Sequence, residues 1–248
     1  MAEQLSLKKS NKVHSSIQIL FTGQQLEKDI TDNIPNGFII DEVPFIETEL
    51  STDTITIESL KNLANQNAVV VITSQIAVDW LAKNIITVPN WSIACMKGET
   101  QKSLCDKGWG GLVQQTANNG LKLAMEIALH IPVGTTIHFL GSRQRLATLP
   151  NYLLGQGYKV NELIAYTTLA KKQVLQKKYD AVVFLSPSAV NSFFEQNTLD
   201  ANMRIFAIGQ TTANAVKKLS NNELIISKDT SQLELFNTIY NYYQTICH

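Results

Sequence analysis

The stretch "VVFLSPSAVNSFFEQN", residues 182–197, has an apolar run typical of a strand, a break at Ser186-Pro187, and then apolar residues at helical spacing. Ser186 is a residue type that caps helices, and Pro187 suits the first helical position because its missing N–H has no partner there. The stretch therefore predicts a buried strand, a short loop and a helix that begins after Ser186. Similar capping residues predict further helix starts at Ser74, at Thr116, and at Thr230 or Ser231.

The same pattern occurs earlier in the chain as "VVVITSQIAVDWLAKN", residues 69–84. Ser74 takes the place of Ser186 and precedes it by 112 residues. The next segments, "IACMKGETQKSL" from Ile93 and "IFAIGQTTANAV" from Ile205, are separated by the same 112 residues. A repeat with a constant offset indicates two copies of one supersecondary arrangement.

Two further pairs of segments extend the repeat. "ILFTGQQ" at 19–25 resembles "HFLGSRQ" at 138–144, and "NGFIIDEVPFIETEL" at 36–50 resembles "QGYKVNELIAYTTLA" at 156–170. Each half alternates short apolar strands with amphipathic helical segments, which is typical of parallel sheets with crossover helices. The predicted fold class is α/β, with two similar domains that each contain a parallel sheet flanked by helices.

The repeat leaves the domain boundaries open. A cut at the repeat gives contiguous domains of about 1–131 and 132–248. Alternatively, the extended segments "IDEVPFIETE" and "VNELIAYTTLA", which occupy corresponding positions in the two halves, pair with each other and carry the chain between two domains. The periodicity does not decide between these arrangements.

The composition argues against several classes of function. The 248 residues carry 21 Lys and Arg against 21 Asp and Glu, so the excess positive charge of a nucleic-acid binder is absent. No run of about 18 apolar residues occurs and the first sixteen residues are polar, so we expect neither a membrane span nor a signal peptide. Cys95, Cys105 and Cys247 lack metal-ligand spacing and the four histidines are scattered, which predicts reduced thiols, no metal site and a cytoplasmic location.

Six strand-to-helix junctions share a composition rich in Gly, Ser and Thr. They are "FTGQQ" from residue 21, "TSQ" from 73, "KGET" from 97, "LGSRQR" from 140, "LSPS" from 185 and "IGQTT" from 208. In parallel α/β sheets, ligands bind beyond the carboxyl ends of the strands, where helix N-termini offer N–H groups and partial positive charge. The junctions together predict a site for an anionic ligand. Taken singly, Ser186 is also explained as a helix cap, and Gly209 as the residue of a tight turn.

Two segments of the second half carry a family resemblance. "FLSPSAVNSFF" (184–194) and "FAIGQTTANAV" (206–216) resemble the Ser-Pro-Ser-Ala-Val and Ile-Gly-x-Thr-Thr-Ala elements of the uroporphyrinogen-III synthase family. "ITSQIAVDWL", "KGETQKSL" and "LIAYTTL" are similar to further elements of that family, so the resemblance covers the chain from about Ser16.

The resemblance implies two α/β domains joined by a two-stranded antiparallel connector, with one domain inserted into the other. Carried over to this sequence, it gives a discontinuous domain of 1–42 plus 169–248 and an inserted domain of 45–163. The connectors then lie at about 42–46 and 163–168. This organisation corresponds to the second of the two arrangements that the repeat leaves open.

The resemblance also implies a reaction. The family closes hydroxymethylbilane, a linear tetrapyrrole with acetate and propionate groups, to uroporphyrinogen III with inversion of ring D, and it uses no cofactor and no metal. Tyr166 matches the family tyrosine that assists departure of the terminal hydroxyl, and a phenol with an ordinary pKa of about 10 stays protonated for that role. Alternatively, Tyr166 is a half-buried aromatic residue of a strand, with a role in packing only. The candidate substrate-binding residues are Ser74, Gly98, Thr100, Ser142, Ser186, Ser188, Gly209, Gln210, Thr211 and Thr212.

The sequence departs from the family pattern after its first strand. Thr22-Gly23-Gln24 stand where family members often carry Thr-Arg-Pro, and Arg143 or Lys97 are the candidates to replace that arginine. A rival function is that of a non-catalytic two-domain binding or sensor protein for an anionic metabolite, which does not need Tyr166. We expect a monomer that binds hydroxymethylbilane, with neither nucleic acid nor a membrane as a partner.

Overall fold

The computed structural model describes residues 16–246, which divide into two compact units. Unit 1 combines the described residues of Met1–Phe45 and of Lys172–His248, and unit 2 is Ile46–Lys171. Apart from Ser16, the polar segment at the start of the sequence lies outside the described residues. No helix among residues 16–246 is both long enough and apolar enough to cross a membrane.

Strands and helices alternate along most of the chain. In chain order they are β1 (Ile17–Phe21), α1 (Lys28–Thr31), β2 (Phe38–Glu42), β3 (Ile46–Leu50), α2 (Thr54–Ala64), β4 (Ala68–Ile72), α3 (Gln75–Asn84), β5 (Trp91–Met96), α4 (Glu99–Asp106), β6 (Val113–Ala117), α5 (Gly120–His130), β7 (Thr136–Ser142), α6 (Thr148–Gly155), β8 (Lys159–Ala170), β9 (Ala181–Phe184), α7 (Pro187–Phe194), β10 (Arg204–Ala207), α8 (Gln210–Val216), β11 (Leu224–Ile226) and α9 (Gln232–Ile246).

Unit 1 contains a five-stranded sheet in the order β11-β10-β9-β1-β2, and its strand pairs are parallel. All four residues of β9 are buried, as expected for a central strand covered on both faces. Tyr243 of α9 packs edge-to-face against Phe38 of β2, with ring centroids 6.0 Å apart. Phe193 of α7 packs in the same manner against Phe184 of β9, at 5.3 Å. The aromatic side chains therefore attach both helices to the sheet.

Unit 2 contains a six-stranded sheet in the order β3-β8-β7-β4-β5-β6, parallel except for the antiparallel edge strand β3. Successive side chains of β4 point to opposite faces of the sheet and therefore pack in two separate hydrophobic clusters. Val70 and Ile72 pack in the cluster that contains Trp80 of α3, while Val71 packs in the cluster that contains Leu123 of α5. The predicted α/β class, with two mostly parallel sheets flanked by helices, is confirmed.

Strand β8 pairs with two partners along its 12 residues. Its first part runs parallel to β7 as far as the pair Ser142 and Tyr166. Its last part runs antiparallel to β3, beginning at the pair Leu50 and Tyr166. Tyr166 therefore lies where the two ladders meet. In unit 1 the corresponding strand β2 ends at Glu42, two residues before Pro44, which has no N–H to donate to a ladder.

Three of the predicted helix caps are confirmed. The side-chain oxygens of Ser74, Ser186 and Ser231 each accept a hydrogen bond from the N–H three residues further on, at 3.3, 3.2 and 3.1 Å. The start predicted at Thr116 is wrong, because β6 continues in register with β5 through Ala117. Helix α5 begins instead after Asn119, whose side chain accepts from the first turn at 2.9 Å.

Candidate functional site

The predicted site residues lie at the carboxyl edge of each sheet, where strands end and helices begin. In unit 2 they are Ser74, Gly98, Thr100, Ser142 and Tyr166, a set that we call the unit 2 edge. In unit 1 they are Ser186, Ser188, Gly209, Gln210, Thr211 and Thr212, which we call the unit 1 edge. Parallel strands of one sheet end on the same side, so the loops of each set are neighbours within their own unit.

The phenol of Tyr166 brings three of the unit 2 residues together. The side chains of Ser74 and Ser142 lie near its hydroxyl, where each lowers the pKa of the phenol. The backbone positions it for these contacts, because Ser142 lies opposite Tyr166 on β7 and the N–H of Arg143 donates to the Tyr166 carbonyl at 3.0 Å. Only 9% of the Tyr166 surface is exposed.

Burial raises the pKa of Tyr166 above its ordinary value, and the neighbouring side chains of Ser74 and Ser142 offset only part of that rise. The phenol is therefore protonated at neutral pH. In this state it can donate a hydrogen bond or a proton to a ligand, but it cannot act as a base.

The loop after β7 is held against β8 by Gln144 and Arg145. Gln144 Oε1 accepts from the N–H of Thr168 at 2.9 Å and from the Ser142 hydroxyl at 3.2 Å, and the N–H of Gln144 donates to Ser142 Oγ at 3.1 Å. Arg145 forms an ion pair with Glu162 of β8. Sequence analysis did not single out Gln144. The available signal was its position two residues after a predicted site serine, where side-chain turns form.

At the unit 1 edge, Ser186 caps α7, and Ser188 lies half-buried in the first turn of that helix. Gln210 and Thr211 open α8 and are exposed, and the Gln210 side chain donates to Asn214 at 2.8 Å. These polar groups therefore surround two helix starts at which N–H groups are available to a ligand.

Gly209 does not have the backbone of the tight turn that its sequence context allowed. Its φ is −177°, an extended conformation that any residue adopts. An added Cβ would lie 3.3 Å from the Thr230 methyl, so the glycine relieves crowding and makes no left-handed turn. Gly98 is the opposite case. Its φ is +84° and an added Cβ would meet nothing within 4 Å, so the backbone conformation favours glycine there.

Thr100 is the second residue of α4 and Thr212 the third residue of α8, and both are buried, with exposed fractions of 6% and 3%. Their side chains pack into the protein, so these residues can offer a ligand their backbone N–H groups and not their hydroxyls.

The structure explains why no arginine follows the first strand. A Cβ added to Gly23 would lie 2.5 Å from the ring of Phe21 and 2.7 Å from the side chain of Leu185. Any larger residue would displace one of these apolar groups. The two cations considered as replacements, Arg143 and Lys97, are exposed in loops of unit 2.

Two surface concavities of about 700 Å³ each lie at the opposite, amino-terminal ends of the strands. The concavity in unit 2 is lined by residues that include Asn67, Asn90, Gln114 and His138, and burial lowers the pKa of His138. Neither concavity contains a predicted site residue. We place the candidate site at the carboxyl edges because the protonated phenol and the helix starts lie there.

Residues 16–246 contain no group of three or more His, Cys, Asp or Glu side chains arranged to hold a metal ion. Cys95 and Cys105 are free thiols, and burial raises the pKa of Cys95 to about 11. Cys247 lies outside the described residues.

The family model of the uroporphyrinogen-III synthase HemD matches residues 34–237. A comparison with curated protein sequences gives no match.

Among solved structures, a mutant uroporphyrinogen III synthase from the extremely thermophilic bacterium Thermus thermophilus is similar, with a TM-score of 0.69 and 16% identity over 93% of this chain and 99% of that one. A uroporphyrinogen-III synthetase from Helicobacter pylori gives a TM-score of 0.64 and 16% identity over 91% and 99%. At these identities the structures establish a shared fold. Since the family model covers most of the sequence, the chain belongs to the uroporphyrinogen-III synthase family.

Proposed function

We propose that this protein catalyses the cyclisation of hydroxymethylbilane to uroporphyrinogen III, with inversion of ring D and release of water. Its family supplies the reaction class, a cyclising lyase of tetrapyrrole biosynthesis. The observation that carries the proposal is Tyr166, a buried phenol near the side chains of Ser74 and Ser142, at the end of the parallel ladder between β7 and β8.

Binding of the substrate requires several local anion sites, because hydroxymethylbilane is a flexible polycarboxylate and the chain has a formal net charge of 0. Helix starts supply N–H donors and partial positive charge for carboxylates. The residues that we assign to binding are Ser74, Gly98, Thr100, Ser142, Ser186, Ser188, Gly209, Gln210, Thr211 and Thr212. Thr100 and Thr212 act through backbone N–H groups, since their side chains are buried.

The reaction begins when Tyr166 donates its proton to the terminal hydroxyl of the substrate. The C–O bond breaks, water leaves and an azafulvene cation remains. The substituted carbon of ring D attacks this cation to form a spiro intermediate, which fragments and recloses with ring D inverted. The carbon at which the ring finally closes loses a proton, which restores the phenol. Holding the curled substrate in place supplies a large part of the rate acceleration.

We also propose the interleaved domain organisation, with one domain of 1–42 plus 169–248, an inserted domain of 45–163, and connectors at 42–46 and 163–168. The change of compact unit after Phe45 and again after Lys171 supports two crossings of the chain. Residues 166–170 pair antiparallel with β3, which supports a two-stranded connector near the second crossing.

The protein is further proposed to act as a monomer in the cytoplasm. The two free thiols in the described chain fit a reducing compartment. Gel filtration with light scattering at several protein concentrations tests the monomer, and a mass that rises with concentration contradicts it.

The decisive experiment follows the product isomers. The purified protein is incubated with freshly generated hydroxymethylbilane, the products are oxidised, and the type I and type III isomers are separated by chromatography. The type III isomer is expected to dominate, whereas closure without protein gives type I. Type I product alone, together with tight binding of the substrate, would instead support the non-catalytic binding or sensor protein.

A further inference from the structure

Asn197, which follows α7, forms three hydrogen bonds through one side-chain amide. Its Oδ1 accepts from the N–H of Leu175 at 2.9 Å, and its Nδ2 donates to the carbonyls of Gln173 at 2.7 Å and of Phe193 at 3.0 Å. A backbone N–H can only donate and a carbonyl can only accept, so these contacts fix which end of the amide faces which group. Asparagine is the smallest side chain that supplies one acceptor and two donors in a single planar group.

The returning segment, residues 172–175, depends on this side chain. It follows β8 and belongs to no helix or strand. Asn197 bonds the carbonyl of Gln173 and the N–H of Leu175, two residues apart, as the backbone of a neighbouring strand would. Its third hydrogen bond goes to Phe193 in the last turn of α7. Asn197 therefore ties the returning segment to the end of α7.

The outgoing segment, residues 43–45, is anchored to the same helix. The ring of Phe45 is fully buried, and its centroid lies 5.0 Å from that of Phe193. The Gln173 side chain donates to the carbonyl of Pro44 at 3.2 Å, which joins the two segments directly. All of these residues belong to unit 1, from which the chain leaves for unit 2 and to which it returns. Both crossings of the chain are therefore fixed at the C-terminal end of α7.

The other end of α7 carries candidate binding residues. The helix has eight residues, a length of about 12 Å, and its first turn contains Ser188 and follows Ser186. Phe193, near its C-terminal end, is fully buried against the sheet, so the helix cannot move at one end alone. The strand that carries Tyr166 ends at Ala170, two residues before the returning segment begins. The start of α7 and the end of β8 are thus joined by a short, continuous series of contacts.

We propose that Asn197 is a positioning residue of the reaction, which couples occupancy of the start of α7 to the end of β8. The inference rests on the proposed function, because it uses the binding residues assigned to α7 and the acid assigned to β8. A substrate carboxylate held at Ser186 and Ser188 restrains α7, and Asn197 then holds the returning segment to the restrained helix. The strand of Tyr166 loses freedom at its C-terminal end, which keeps the phenol in place while the hydroxyl departs.

One substitution removes the coupling with almost no change in size. Asn197→Asp keeps an acceptor oxygen for the N–H of Leu175 and loses both donors. Asn191→Asp, at an exposed position of α7, introduces the same charge close by and is the matched control. We expect Asn197→Asp to lower kcat about two- to tenfold, the worth of one hydrogen bond, without raising KM, because the binding residues are unchanged. The control is expected to retain wild-type kcat and KM.

Amide hydrogen exchange of the returning segment is the measurement that a purely structural role would leave independent of ligand. It is followed by mass spectrometry with and without uroporphyrinogen III, kept reduced under nitrogen. In the wild type, the product is expected to slow exchange about two- to tenfold, because the hydrogen bonds of Asn197 open less often. In Asn197→Asp, exchange without product should be about tenfold faster, since two donors are lost, and product should no longer slow it.

The outcomes distinguish this inference from the proposed function. Slowing by product that persists in a folded Asn197→Asp protein overturns the inference. If that variant does not fold, the wild type decides, because exchange that does not respond to product overturns the inference as well. If the wild-type protein yields type I product alone, the proposed function fails, and with it the role of Asn197 in the reaction. Exchange with and without hydroxymethylbilane then tests the coupling by itself.

Discussion

Ser74 and Ser186 cap their helices in the same way, at 3.3 and 3.2 Å from the N–H three residues on. Among residues 16–246, Ser74 lies near a tyrosine hydroxyl and lowers its pKa, and no tyrosine shows such an effect from Ser186. The cap therefore occurs in both copies of the repeated strand–loop–helix arrangement, whereas the tyrosine belongs to one copy. The comparison teaches that a helix cap by itself does not indicate a catalytic role. The residues on the neighbouring strand determine whether the cap belongs to a reactive group.

Two more structural features occur in both units. The ring of Phe21 packs over Gly23, and that of Phe139 packs over Gly141. A glutamate anchors the following loop in each case. Glu42 accepts the N–H of Leu26 at 2.7 Å, and Glu162 forms an ion pair with Arg145. The backbone and packing at the two edges are thus similar. They differ in the strand that bears the glutamate, because β2 ends at Glu42 whereas β8 continues beyond Glu162 to Ala170.

Substitution of the two ring-covered glycines tests the shared frame and has the largest expected effect on stability. Gly23→Ala and Gly141→Ala place a Cβ 2.5 and 2.7 Å from a phenylalanine ring, so each is expected to cost about 1–3 kcal/mol of the free energy of unfolding. Urea denaturation measures the loss. Gly111→Ala is the control, because a Cβ there meets nothing within 4 Å. Loss at Gly141 but not at Gly23 would show that the two rings do not play the same part.

Tyr166→Phe tests the difference between the edges. We expect kcat to fall about tenfold, less than the hundredfold typical of a general acid, because the Ser74 hydroxyl can hold a water in place of the phenol. The free energy of unfolding should change little, since a ring of the same shape remains. Turnover of hydroxymethylbilane is measured beside Tyr152→Phe, a partly buried tyrosine of α6. Equal rates for the two variants would remove Tyr166 from the mechanism.

The paired caps separate stability from catalysis. Ser74→Ala and Ser186→Ala should each lower the free energy of unfolding by about 1 kcal/mol through loss of the cap. Ser74→Ala is expected to lower the rate of type III product formation as well, because the Tyr166 phenol loses a neighbouring hydroxyl that lowers its pKa. Unfolding and turnover are measured on both proteins. A larger catalytic loss in Ser186→Ala than in Ser74→Ala would reverse the comparison.

The two glutamate anchors should respond differently to salt. Glu162→Gln removes one charge of a partly exposed ion pair, so its cost of about 0.5 kcal/mol should shrink at high ionic strength. Glu42→Gln keeps a carbonyl acceptor for the N–H of Leu26, so its smaller cost should not depend on salt. Unfolding midpoints at low and high salt measure both. A salt-dependent cost at Glu42 would indicate that its charge, and not its hydrogen bond, anchors the loop.

High pH should weaken the fold slightly through the buried phenols. The pKa of Tyr166 is raised by burial, and that of Tyr179 is raised to about 12 by burial and by its hydrogen bond to Asp41. The folded chain then holds protons that the unfolded chain releases near pH 10, so stability is full below about pH 10 and falls as the pH rises towards the folded values. Unfolding midpoints measured across this range in wild type and Tyr166→Phe give the Tyr166 share. An identical decline in both proteins would exclude a contribution from Tyr166.

Much of the fold was predictable because its signals are local. The caps at Ser74, Ser186 and Ser231 were recognised because a cap depends on four consecutive residues. Thr116 failed as a cap because pairing between β6 and β5, a contact distant in sequence, keeps Thr116 in a strand. The inward orientation of the side chains of Thr100 and Thr212 likewise depends on packing that the pattern of small residues does not reveal.

The sequence by itself determined the α/β alternation, the repeat with its helix starts, and the family resemblance, since periodicity and capping chemistry are local properties. The tertiary structure alone decided that the side chains of Ser74 and Ser142 lie near the phenol of Tyr166, which belongs to a different strand. It also decided that Gln144 accepts a hydrogen bond from Ser142, and that the ring of Phe21 lies where a side chain at position 23 would begin. The physical reason is that strand register and side-chain packing bring together residues that are far apart in the chain. A short segment of sequence therefore does not predict these contacts.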